Sequence, residues 1–137
     1  MTVYIWCFQW YEGAIIGVLG VILYCTIGGL GFNGMPGWAM GNLIIGLIMG
    51  VSLKKVKKIR SKAMQVALMA VAAVIAAFLG IEIVKSFFDS IIVSQPFSVR
   101  FVKNMTSFIA DAFVIVISLP ICVMVEKYAK KLRYGEN

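Results

Sequence analysis

Glu82, Lys85 and Asp89 stand at i, i+3 and i+7 in otherwise apolar sequence. That spacing puts all three on one face of a helix. Asn104, Ser107 and Asp111 repeat the pattern further on, with Ser118 extending their stripe. Asn42 is the lone strongly polar residue in its stretch, one turn after Trp38. Such groups are costly in a membrane, and where they occur they face a bundle interior or a site. Carboxylates, an ammonium and amides can orient a polar solute, and an indole offers a flat stacking surface. Trp38, Asn42, Glu82, Lys85, Asp89, Asn104, Ser107 and Asp111 are therefore the candidate substrate-binding residues. A blander arrangement competes: an internal salt bridge of Lys85 with Glu82 or Asp89, plus polar residues that merely reach the interface. Asn104-Met105-Thr106 also matches a glycosylation sequon.

Catalytic chemistry finds little to work with. The chain has no His, and Cys7, Cys25 and Cys122 lie far apart in apolar sequence, so no metal-ligand spacing arises. No Gly-rich loop ending in Gly-Lys-Ser/Thr is present to cradle a nucleotide phosphate. The expectation is a protein that is not an enzyme and carries no cofactor and no metal.

The elements that must position these residues are membrane helices. The chain is 61% apolar and 14% charged, with mean hydropathy +0.95. Soluble domains are nearer half apolar and a quarter charged. One all-α integral membrane domain over residues 1–137 is expected, with four spans at about 13–30, 38–53, 63–89 and 105–125. The aromatic run Tyr4 to Tyr11 suits an interfacial belt. Gly31 to Gly37 reads as a tight turn, Ser94 to Lys103 as a second loop, and Pro120 as a kink in the last span. Gly13, Gly17, Gly20, Tyr24 and Gly28, then Gly37 and Gly41, then Gly46 and Gly50, follow helical spacing, and close helix packing in lipid uses such a small-xxx-small pattern.

Charge sets the threading. Lys54, Lys55, Lys57, Lys58, Arg60 and Lys62 crowd one connection, and Lys127, Lys130, Lys131 and Arg133 follow the last span. Lys/Arg-rich short loops stay cytoplasmic, so both termini are expected inside and the polar residues in the outer half of the membrane. The net charge of +7 sits at these borders, where anionic lipid accounts for it and nucleic acid is not needed.

Glu12 to Gly20, the Gly/Pro turn, and Trp38 to Gly50 together resemble substrate-binding (S) components of energy-coupling factor (ECF) type ABC transporters. There a Gly-rich helix, a Gly/Pro loop and a Trp-to-Gly helix recur in that order. Gly80 to Pro120, with Asp89, an outer loop and a helix bearing Asn, Ser and Asp, is similar to the family's final helix pair. The family has about six helices; this chain reads as lacking the first two, with the Ala-xxx-Ala docking helix among them. The resemblance implies a bacterial cell-membrane protein that captures a vitamin-like solute from outside. Its partners would then be membrane lipids, a transmembrane coupling protein and two ATPase subunits. Two other readings compete: a self-contained four-helix secondary transporter working as a dimer around Glu12, and a structural or regulatory membrane subunit without a ligand.

Overall fold

The computed structural model describes residues 11–28 and 35–134, and of Met35, Lys127 and residues 129–134 the backbone alone. The described residues form helices and no strand. We label these α1 (Glu12–Ile27), α2 (Met35–Val56), α3 (Lys62–Ile92) and α4 (Phe97–Tyr134). Within α3, Lys62–Ala77 is α-helical, Phe78–Lys85 is π-helical and Ser86–Ile92 is α-helical again. Stretches of α2, α3 and α4 (Pro36–Val56, Lys62–Ile92 and Phe97–Glu126) are each long and apolar enough to cross a membrane. α1 has 16 residues, short of the ~20 a straight span needs. The chain is thus an all-helical, multi-pass membrane protein.

The helix ends follow local chemistry. Ser61 caps α3 by accepting from the Met64 N–H at 3.4 Å, and Lys54 and Lys55 sit where the negative end of the α2 dipole favours cations. Pro36 lies in the first turn of α2, where a missing N–H costs nothing. Pro36 and Gly37 thus belong to a helix and not to the expected turn, of which residues 31–34 lie outside the described residues. The expected loop over 94–103 is also corrected. α4 begins at Phe97, because the Pro96 carbonyl accepts from Val99 and Arg100 and starts the helix at once. What remains of the loop is a compact helix stop: Ser94 takes φ 51° and the Gln95 N–H returns to the Ser90 carbonyl at 3.2 Å. The helix assignment runs unbroken through Pro120.

Among the described residues, α1 packs against α2 alone, and α3 lies between α2 and α4. The core joins Ile45, Met49 and Leu53 of α2 to Met69, Ala73 and Ile81 of α3 and to Ile115 and Leu119 of α4. Outward side chains such as Val102, Ile109, Phe113 and Met124 are exposed and apolar, as a lipid-facing surface requires. The glycine stripe is used selectively. A methyl group on Gly46 would run into the Ala14 backbone, and one on Gly80 would sit 2.6 Å from the Gly41 carbonyl oxygen. These are the α1–α2 and α2–α3 crossings, where only small residues fit. Gly20 has open space beside it and is not part of either contact.

Candidate functional site

At the end of α3 remote from the Lys-rich connection, Lys85 is buried and draws in all three long helices. Its Nζ donates to Asp89 Oδ2 at 2.9 Å, one turn along α3, and to Asn104 Oδ1 on α4. It also lies 4.6 Å from the centroid of the Trp38 ring on α2, a cation–π contact. Asn104 in turn donates from Nδ2 to Ser86 Oγ at 2.8 Å, and Ser86 Oγ lies 3.4 Å from the Ile81 carbonyl. Lys85, Ser86, Asp89 and Asn104 are all buried. In a medium of low dielectric such a chain of bonds is strong while complete and costly once broken.

Backbone geometry makes room for it. Gly37, in the first turn of α2, lies against the Asp89 carboxylate, so any larger residue there would displace that group. Below it, Gly41 and Gly80 let α2 and α3 approach closely enough for Trp38 to reach Lys85. Phe78 meets Phe101 and Phe108 edge-on, with centroids 6.4 and 5.8 Å apart, and holds α4 against the π-helical turn.

The remaining candidates are distributed differently. Glu82 is completely buried, yet neither carboxylate oxygen has a hydrogen-bond partner. The i, i+3 spacing would have brought it beside Lys85 in an α-helix. In the wider π turn it makes no ion pair with the ammonium, and Lys85 pairs with Asp89 instead. Asp111 is half-buried on α4 and within electrostatic reach of Lys85. Asn42 is half-buried and donates to the Trp38 carbonyl at 3.0 Å, a bond within its own helix. Ser107 is half-buried with no hydrogen bond to the cluster, and Ser118 donates to the Ile115 carbonyl. The sequon is accounted for too: Asn104 is enclosed and doubly bonded, which is no position for a glycan.

Two participants escaped the sequence reading. Ser86 shares a face with Glu82 and Asp89, the signal that would have found it. The π turn has no comparable mark in the sequence. Among the described residues no set of three or more His, Cys, Asp or Glu is placed to hold a metal ion. Chemically the cluster offers one carboxylate oxygen without a hydrogen-bond partner, Asp89 Oδ1, and an indole face, while Lys85 and Asn104 are bonded within it. Comparison with protein-family models, curated proteins and solved structures finds no match to this chain.

Proposed function

We propose that the chain is the substrate-capture subunit of an ECF-type ABC importer in a bacterial cell membrane. It would bind a vitamin-like small solute from outside, while a transmembrane coupling protein and two ATPase subunits drive uptake. On this reading the Lys-rich connection and both termini are cytoplasmic. The observation that carries it is the convergence of Trp38, Lys85, Asp89 and Asn104 from three helices, at the end remote from that connection. Polar groups gathered so deliberately in lipid are a functional site by default. The resemblance of Glu12–Gly50 and Gly80–Pro120 to S components supplies the reaction partners.

The test is uptake of whatever small molecule co-purifies with the chain. Accumulation should require co-expression of the coupling protein and both ATPases. Uptake by the chain alone, dissipated by uncouplers and lost in Glu12→Gln, would instead identify a self-contained secondary transporter.

One observation favours a ligand-free reading: the Lys85 bonds are all internal, as helix glue requires. Asp111→Asn separates the two. A ligand role predicts affinity weakened by about 1–3 kcal/mol, on the scale of a hydrogen bond to a charged group, with the melting temperature kept. Glue predicts a lower melting temperature and unchanged affinity.

A further inference from the structure

Lys85 has no donor left to give. An ammonium carries three N–H groups, and here they face Asp89, Asn104 and the Trp38 ring. Its charge is already matched one for one by Asp89 at 2.9 Å. Two further carboxylates, Glu82 and Asp111, lie within its electrostatic reach. Glu82 is fully enclosed and neither of its oxygens accepts a hydrogen bond.

No other element makes up the deficit. α2 carries no ionisable side chain between Pro36 and Ser52, and α1 touches only α2 among the described residues. The cations on the outer part of α4 are Arg100 and Lys103; Lys103 is exposed, and both lie nearer the helix start than Asn104 does. An enclosed carboxylate without donor or cation is strongly disfavoured in a membrane interior. The site is therefore short of positive charge in a particular place, on the π turn of α3.

We propose that Glu82 receives a positively charged group of the solute, so that the captured molecule is an organic cation such as an ammonium or amidinium. This rests on the capture function above and specifies its substrate class. An organic cation fits better than a metal ion, because no three ligating side chains converge among the described residues. A proton on Glu82 would also relieve the deficit, and the experiment separates the two sources.

The probe is methylammonium chloride, added to the purified chain in lipid nanodiscs against sodium chloride of equal ionic strength. Methylammonium should raise the melting temperature by about 5 °C more than sodium does, the size expected at roughly tenfold excess over Kd. Glu82→Gln should abolish the difference. Infrared difference spectroscopy on the unmodified chain gives a second readout that does not depend on the variant folding. Methylammonium should leave Glu82 ionised, with no neutral-carboxyl C=O band. Equal effects of the two salts, a shift retained in Glu82→Gln, or a neutral-carboxyl band that persists in methylammonium would each overturn the inference. A capture subunit for a neutral solute would fail here and still show partner-dependent uptake, so the two readings fall separately.

Discussion

The two ends of the helix bundle each hold a lysine–carboxylate pair of almost the same length. At one end Lys85 meets Asp89 at 2.9 Å with side chains 5% and 8% exposed; at the other Lys62 meets Glu126 at 3.0 Å with 55% and 8%. Distance does not distinguish them. Surroundings do. Lys62 springs from the Lys-rich border and keeps contact with solvent or headgroups, so its pair is screened and adds little. Lys85 is sealed among Trp38, Asn104 and the Gly41–Gly80 crossing, where an unpaired charge has nowhere to go. A pair of the first kind serves a border; a pair of the second kind is worth keeping only for a unique arrangement or a ligand.

The comparison is broken most severely at Lys85. Lys85→Met leaves Asp89 buried without its cation and should cost about 3–5 kcal/mol, read as a large drop in melting temperature. Lys85→Met with Asp89→Asn should recover part of that loss, since the orphaned charge is removed as well. A single variant as stable as the unmodified chain would mean that the cluster is not sealed. Next comes the crossing that seals it. Gly80→Val would drive a branched side chain into the Gly41 carbonyl and Ile45 and should cost about 1–3 kcal/mol or more. Gly20→Val, beside open space, is the matched control and should be nearly silent in thermal melting.

The border pair should yield far less. Lys62→Ala should change stability by at most about 1 kcal/mol, and added salt should shrink even that difference. A loss as large as that of Lys85→Met would erase the contrast between the ends. Smallest is a gain: Ser94→Gly relieves a left-handed residue at the α3 stop, worth about 1–2 kcal/mol. It loses about 0.4–1 kcal/mol to the added freedom of the unfolded chain, so it should stabilise by no more than about 1 kcal/mol.

Much of this was legible in the residues. Hydropathy marked the helices, and the polar spacing marked Lys85, Asp89 and Asn104, because a costly group in an apolar run needs a reason. Helix ends were less legible. Apolarity stopped the last span near Met105, whereas hydrogen bonding from Pro96 starts the helix at Phe97, through Arg100 and Lys103. The isolation of Glu82 was hidden for a different cause: about 3.6 residues per turn offers it to Lys85, and within the π turn it makes no such pair. Asn42 looked like a site residue by its isolation, but a side-chain amide can satisfy itself on the carbonyl one turn back. Which polar residue bonds within its own helix and which bonds across helices depends on packing angles that spacing does not encode.

The central claim is that a solute is held at the Lys85 end of the bundle and not at the Lys-rich border. Native mass spectrometry of the chain released from mild detergent tests it most directly. One non-lipid small molecule should be bound one-to-one, lost in Trp38→Ala and retained in Lys62→Ala. A bound mass that survives Trp38→Ala, or spectra of the unmodified chain showing lipid adducts alone, would contradict it.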